Sequence, residues 1–244
     1  MLPDKPWQPE PALRLLIGLF VCFIVGAVSV MSLRHLFGNA VVEGWLLNVI
    51  FASLCFQGAG LVLTYYFLQA HKMSWAEAFG FKNQPGWAVM LGICGAIIVL
   101  PACWWLQARS FEFFNYLGFE PTEQDAIRLL REANTWWKQA YLGVFAIVLA
   151  PVGEEVLFRG IAYPFIKHLG WPKLGLWFTA TMFALIHGNI AAFLALLLLA
   201  VALTLLYEWT GNLLSCIVVH SLFNAANFGM LFILKNTGQL PASP

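Results

Sequence analysis

Long apolar runs without a charged side chain recur along this sequence, and they limit the folds that it can adopt. Each approaches or exceeds the roughly 17–25 residues that a helix needs to cross the hydrocarbon core of a bilayer. The composition agrees, because 61% of the residues are hydrophobic and 10% are charged, against about 45–50% and about 25% in soluble domains. The sequence therefore predicts an integral multi-pass membrane protein. The long runs are Leu15–Leu33, Gly44–Ala70, Trp87–Ala108, Ile190–Tyr207 and Gly211–Leu234.

Two further apolar segments raise the number of predicted spans. The shorter run Lys173–His187 and the run that holds Glu154 bring the count to seven, or to eight if one long run is broken. Backbone groups in lipid must be hydrogen-bonded within the protein, which favours helices for such spans. We therefore predict an all-α fold, a polytopic transmembrane helical bundle of about seven to eight spans. The formal net charge of +1 argues against a nucleic-acid partner.

The distribution of polar residues divides the chain into three regions. Residues 1–108 form an N-terminal three-span region without charges inside its spans. Residues 109–139 are the one long polar stretch, and we interpret them as an interfacial amphipathic linker. Residues 140–244 form the helical core that holds the candidate site. Lysines on the short loops of the N-terminal side indicate that the N-terminus lies in the cytoplasm.

Three charged residues interrupt the apolar run of the core, and they need a specific reason to lie there. They are Glu154, Glu155 and Arg159. A charged side chain at this depth costs at least about 2.5 kcal/mol unless it is paired or hydrated. Arg159 follows Glu155 by one helical turn, so the spacing predicts an ion pair within the helix. Glu154 points about 100° away and keeps no such partner, which favours it as a general base.

Proline and glycine directly before the two glutamates predict an irregular helix at this point. Pro151 has no N–H, so in an α-helical register it leaves the carbonyl of Ile147 without its usual donor. Gly153 leaves room beside Glu154. A bend that admits water and a simple packing kink are both consistent with this pattern.

Two histidines in apolar helical context extend the candidate site. His187 and His220 lie in separate runs, and their combination with an unpaired glutamate is typical of a functional site. Asn224 and Asn227 follow His220 on the same helical face. Phe183 shares a face with His187, which would let its ring cover the imidazole. We assign Phe183 and Asn227, at the border of this set, to substrate binding.

The set suits attack of a water molecule on a carbonyl group. Glu154 would deprotonate the water, while His187 and His220 would orient it or pass a proton to the leaving amine. Asn224 would donate to the developing oxyanion. The alternative is a two-histidine, one-carboxylate site for a divalent metal such as zinc, formed by Glu154, His187 and His220. We predict metal-free chemistry, without a cofactor, because no second carboxylate is placed to orient either histidine.

Three motifs in this region resemble those of the CPBP family, intramembrane endopeptidases that include the type II CAAX prenyl proteases and the bacteriocin-processing or Abi proteins. The resemblance covers roughly residues 140 to 235. It implies a helical bundle of about eight spans in which the first glutamate activates water and the histidines and asparagine complete the site. It also implies a membrane-associated peptide or protein substrate, with or without a lipid. The motifs are Glu-Glu-x-x-x-Arg at Glu154–Arg159, Phe-x-x-x-His at Phe183–His187 and His-x-x-x-Asn at His220–Asn224.

Two other functions use the same residue types. A proton- or ion-coupled transporter would employ the glutamates and histidines as a relay, although the sequence contains no internal repeat of the kind such folds often show. A non-catalytic immunity or scaffold membrane protein is the other alternative. For an endopeptidase of this kind we expect the bacterial cytoplasmic membrane, or the endoplasmic reticulum membrane in a eukaryotic cell.

Overall fold

The described part of the chain is helical throughout. The computed structural model describes residues 2–37, 53–119 and 125–239, and within these ranges it contains helices and turns but no strand. The predicted all-α class is confirmed. The helices are α1 (Pro9–Phe37), α2 (Ala59–Ala70, preceded by the π-helical turn Ser53–Gly58), α3 (Trp75–Ala78), α4 (Pro85–Tyr116), α5 (Asp125–Glu132), α6 (Trp136–His168), α7 (Pro172–Ile186), α8 (Phe193–Thr210) and α9 (Leu213–Asn236).

Within the described ranges, five helices are long and apolar enough to cross a membrane, namely α1, α4, α6, α8 and α9. Helices α2 and α7 are shorter but also apolar. These seven helices correspond to the seven predicted runs, although residues 44–52 of the second run lie outside the described part of the chain. Large apolar side chains such as Phe20 and Ile98 are 65% and 74% exposed, as expected for surfaces that face lipid. The molecule is a helical membrane bundle.

The boundary predicted at residue 108 falls inside a helix. Helix α4 continues to Tyr116, because residues 109–116 contain neither proline nor glycine to end it. Helix α4 thus extends past the predicted boundary, and α6 already begins at Trp136; the interfacial linker stays a prediction. Helix α5 is the remaining amphipathic part of the linker.

Helix α5 is held against the end of α9. Leu130 on α5 is 1% exposed. The ammonium group of Lys235 donates to the carbonyl oxygens of Leu130 at 2.5 Å and Ala133 at 2.6 Å. A cation at these carbonyls satisfies acceptors that the end of α5 leaves open. The linker helix is thus fixed to the bundle by its C-terminal end.

Helix α8 forms the centre of the bundle. Leu199, Ala200 and Leu203 have no exposed surface, and their spacing of one and four residues places them on one side of the helix. Helices α4, α7 and α9 pack around it. The thiol of Cys103 on α4 donates to the carbonyl oxygen of Ala195 on α8 at 3.3 Å. The third span therefore packs directly on the helices of the core.

The turn between α8 and α9 fixes where α9 begins. Gly211 ends α8 in the left-handed conformation, with φ of 60°, which glycine adopts without a steric penalty. Asn212 caps α9, because its Oδ1 accepts from Leu214 N at 2.9 Å. Its Nδ2 donates to the carbonyl oxygen of Asn83 at 2.7 Å. These bonds set the position from which His220 enters the core.

The N-terminal segment, residues 2–8, packs into the bundle through Trp7. This side chain has no exposed surface, and its Nε1 donates to the carbonyl oxygen of Gly160 on α6 at 3.2 Å. Trp7 thereby joins the N-terminal segment to the backbone of α6.

Candidate active site

Two π-helical turns flank the adjacent glutamates of α6. They comprise Phe145–Leu149 and Val156–Ala162, with Glu154 and Glu155 in the short α-helical section between them. A π turn adds one residue to the helical circumference and so changes the direction of the side chains that follow. Such turns are frequent at functional sites.

Pro151 explains the carbonyl that the first π turn leaves open. Within this turn the N–H of Ala150 bonds to the carbonyl oxygen of Phe145, five residues back. The next bond in the same register would join position 151 to the carbonyl of Ala146, but proline has no N–H. The open carbonyl is therefore that of Ala146. The prediction of Ile147 was wrong because it assumed an α-helical register.

Asn224 of α9 binds this open carbonyl. Its Nδ2 donates to the carbonyl oxygen of Ala146 at 2.7 Å. The bond joins α9 to α6 at the level of the site. One of the two amide hydrogens of Asn224 is thus occupied by the backbone of α6.

The predicted ion pair within α6 is confirmed. Arg159 Nη1 lies 3.0 Å from Glu155 Oε1, and both side chains have no exposed surface. Arg159 Nη2 donates to the carbonyl oxygen of Ala200 on α8 at 3.2 Å. The guanidinium carbon also lies 4.5 Å from the centre of the Phe183 ring, a cation–π contact. A buried charge of each sign is thereby compensated.

Glu155 also orients His220. Its Oε1 lies 2.8 Å from His220 Nδ1. A carboxylate oxygen accepts, so the hydrogen-bond pattern assigns a proton to Nδ1 and leaves the lone pair of the neutral ring on Nε2. The premise that no second carboxylate orients a histidine was wrong. Spacing along one helix could not reveal this contact, because the partners are 65 residues apart.

His187 is held in the same tautomer by a backbone group. It follows the last residue of α7, and its Nδ1 lies 2.6 Å from the carbonyl oxygen of Phe183. Because a carbonyl can only accept, Nδ1 carries the proton here as well. Both rings therefore have Nε2 available on the side that faces Glu154.

Glu154 and the two imidazoles converge on one point. Its Oε2 lies 3.9 Å from His220 Nε2 and 4.0 Å from His187 Nε2. These separations exceed the ~2.7–3.2 Å of a direct hydrogen bond. They suit a single water molecule that bridges Glu154 and an imidazole. The side chain of His187 is 31% exposed, against 12% for Glu154 and 3% for His220. Access to the site is therefore from the side of His187.

The positions of Glu154 Oε2, His187 Nε2 and His220 Nε2 can be compared with those of zinc ligands. Two histidines and one carboxylate are suitable zinc ligands, and both rings have the supporting Nδ1 contact typical of metal-bound histidine. Ligand atoms at tetrahedral positions about 2.0–2.1 Å from zinc lie roughly 3.3 Å apart, however, and the separations here are wider. Within residues 2–37, 53–119 and 125–239, no group of three or more His, Cys, Asp or Glu side chains is arranged to hold a metal ion. These three atoms are therefore spaced more widely than the ligands of a tetrahedral zinc site.

The two residues assigned to substrate binding are engaged inside the protein. Phe183 has no exposed surface, and its ring centre lies 4.7 Å from that of His187 and 5.6 Å from that of His220. The expected contact with His187 is confirmed, but a ring without exposed surface leaves no face for a substrate. Asn227 accepts from Trp104 Nε1 at 2.9 Å, which joins α9 to α4. Their role in substrate binding stays a prediction.

Sequence reasoning missed two backbone groups of the site. The carbonyl of Ala146 had a signal in the sequence, namely Pro151 five residues later. The carbonyl of Ala200 had none, because it depends on how α8 packs against α6. Backbone acceptors contributed by another helix leave no pattern in the local sequence.

The fold and site together define a polytopic helical membrane protein with a buried glutamate–histidine centre. Residues 136–226 match the family model described as type II CAAX prenyl endopeptidase Rce1-like. This part of the chain, less than half of its 244 residues, is similar to that CAAX protease family. The matched residues include every member of the three motifs, from Glu154 to Asn224.

One curated relative is similar over part of the chain. It is the uncharacterized protein YpbD of Bacillus subtilis (strain 168), 31% identical over 86 residues. The match covers 34% of this chain and 41% of that protein. No solved structure matches the chain.

Proposed function

We propose that this protein is an intramembrane endopeptidase that hydrolyses a peptide bond of a membrane-associated substrate with water activated by Glu154. The observation that carries the proposal is the convergence of Glu154 Oε2 with Nε2 of His187 and His220 at 3.9–4.0 Å. The similarity of residues 136–226 to the type II CAAX prenyl endopeptidase family model supports the same class of reaction.

The first step is removal of a proton from water. The carboxylate of Glu154 and the two Nε2 atoms are all acceptors, so the group that satisfies them must be a donor. A water molecule supplies one hydrogen each to two of these three acceptors, Glu154 and His220, and leaves its lone pairs available for attack. Glu154 takes one proton as general base, and the resulting hydroxide adds to the carbonyl carbon of the scissile bond.

The second step is departure of the amine. The proton on Glu154 passes to the leaving nitrogen, directly or through His187, the more exposed of the two histidines. His220 is fixed by Glu155 and keeps the water in position. Asn224 uses one amide hydrogen on Ala146, so its second hydrogen is the one proposed to stabilise the oxyanion.

The proposed chemistry is metal-free. The distances from Glu154 Oε2 to the two histidine Nε2 atoms support this, because they are longer than the distances between the ligand atoms of tetrahedral zinc. We expect a chelator to leave the cleavage rate unchanged. A cleavage rate that falls with the chelator and returns when zinc is added would show that the reaction depends on a metal.

The proposed substrate is a peptide or protein that reaches the site from the bilayer. Glu154 lies within α6, a helix long and apolar enough to span a membrane, so the scissile bond must enter the protein at that depth. A C-terminal CAAX sequence or a bacterial peptide suits this requirement. We place the enzyme in the bacterial cytoplasmic membrane, in keeping with the Bacillus relative.

The test is cleavage of fluorogenic peptides by the purified protein in detergent. The peptides end in a CAAX sequence, and each is made with and without a farnesyl group on the cysteine. Glu154→Gln removes the base while preserving shape, and we expect the rate to fall about 10²–10⁴-fold. Glu112→Gln, at an exposed glutamate of α4 paired with Arg109, is the matched control and should leave the rate unchanged.

Two results would contradict the proposal. Equal cleavage by wild type and Glu154→Gln would show that Glu154 is not the base. No cleavage of any peptide by a folded wild-type protein, together with an ion or proton flux that Glu154→Gln abolishes, would identify a transporter instead.

A further inference from the structure

Gln57 lies at the same depth in the bundle as Glu154. It precedes α2 within the second span, and the ends of α2 and α6 lie on the same side of the molecule. The N-terminal segment contacts both ends, at His71 and at His168. At 1.5 Å per residue, Gln57 and Glu154 are each roughly 20 Å from these ends.

Gln57 is also in contact with the backbone beside the proposed base. A Cβ atom on Gly153 would lie 3.1 Å from Gln57 Cγ and 3.5 Å from Gln57 Cβ. The first distance is tighter than ordinary van der Waals contact, so a side chain at position 153 would require Gln57 to shift by a few tenths of an ångström. Its carboxamide begins one bond beyond Cγ and is therefore close to the residue that precedes Glu154.

The carboxamide of Gln57 makes no hydrogen bond with any residue that the structure describes, and the side chain is only partly buried. An amide in a membrane span without a partner is unfavourable. The other carboxamides near the site are already engaged, Asn224 with Ala146 and Asn227 with Trp104. Gln57 thus carries a polar group without a described partner beside Gly153, the residue that precedes the proposed base.

We propose that Gln57 binds the peptide backbone of the substrate beside the scissile bond. A carboxamide has an acceptor and donors side by side, which matches the N–H and C=O of an extended peptide. The inference rests on the proposed endopeptidase function and names a residue that positions its substrate. It accounts for a polar side chain that the three motifs do not include.

The test uses steady-state kinetics with a fluorogenic peptide that the wild-type protein cleaves. Gln57→Leu removes the carboxamide at similar volume, and we expect KM to rise about tenfold with a smaller change in kcat, as for the loss of one or two hydrogen bonds. Gln57→Met is the second variant if Gln57→Leu does not fold. Thr64→Val, at a buried hydroxyl on α2 away from Gly153, is the control and should leave both constants unchanged.

A binding measurement distinguishes a contact of Gln57 with the substrate from a role of Gln57 in packing. The same peptide is titrated into Glu154→Gln protein with and without Gln57→Leu, and the second substitution should weaken binding by a similar factor. Unchanged KM and unchanged binding overturn the inference, as does a fall in kcat and Tm without any change in KM. If wild-type cleavage depends on Glu154 but not on Gln57, only this inference fails; if the wild type does not cleave, the proposed function fails with it.

Discussion

A single carboxylate oxygen organises the charged residues of the site. Glu155 Oε1 accepts from Arg159 Nη1 at 3.0 Å and from His220 Nδ1 at 2.8 Å. In the proposed mechanism, Glu154 then acts on water while its neighbour remains compensated. The adjacent glutamates have different environments because they lie on different sides of one helix.

Replacement of Arg159 by alanine should destabilise the protein as well as inactivate it. The buried Glu155 would lose its cationic partner, at a cost of about 3–5 kcal/mol. Thermal unfolding in detergent micelles measures this loss. Arg159→Lys keeps the charge but cannot reach both Glu155 and Ala200. Its Tm should therefore lie between those of the wild-type protein and Arg159→Ala. An Arg159→Ala protein with wild-type Tm would refute the structural role of the pair.

At the level of the helix, the π turn of α6 couples Pro151 to Asn224. Proline removes the donor that would bond the carbonyl of Ala146, and Asn224 replaces it. If this is the reason for the contact, an N–H restored at position 151 should make Asn224 less important for stability.

A double-mutant cycle tests this coupling. Asn224→Ala should reduce the free energy of unfolding by about 1–3 kcal/mol, because it leaves the partly buried carbonyl of Ala146 without a donor. The same substitution in a Pro151→Ala background should cost less, with a coupling energy of about 0.5–3 kcal/mol. Strictly additive effects in chemical denaturation would show that the two positions act independently.

The sequence predicts local contacts of this helix better than distant ones. The pair of Glu155 with Arg159 follows from the helical repeat alone, and so does the contact of Phe183 with His187. The hydrogen bond from His220 to Glu155 depends on the turn that places α9. The π register depends on packing around Pro151, which is why the open carbonyl was predicted one residue away from its observed position.

Across the whole molecule, the N-terminal segment joins three helices that are distant in sequence. The backbone N–H of Leu2 donates to Glu208 Oε2 at 3.3 Å, and Lys167 pairs with Glu208 Oε1 at 2.6 Å. Trp7 fills the space between α2 and α6, with its ring centre 5.1 Å from that of Phe67. We expect this segment to contribute to the stability of the bundle although it contains no motif.

Substitution of Trp7 tests that contribution in two steps. Trp7→Phe removes the hydrogen bond to Gly160 and should cost about 1–3 kcal/mol, whereas Trp7→Ala also removes most of a fully buried side chain and should cost about 3–5 kcal/mol. Trp136→Phe is the matched control, because Trp136 is 80% exposed. Tm values in detergent should follow this order. Equal values for all three variants would show that the segment is not part of the stable bundle.

The most direct test of the central claim follows the oxygen that enters the product. A single turnover of the cleaved peptide in H₂¹⁸O, analysed by mass spectrometry, distinguishes attack by water from attack by the carboxylate of Glu154. The account predicts one ¹⁸O atom in the new carboxyl group of the peptide and none in the protein. Label in the side chain of Glu154, or a labelled product formed equally by Glu154→Gln, would contradict it.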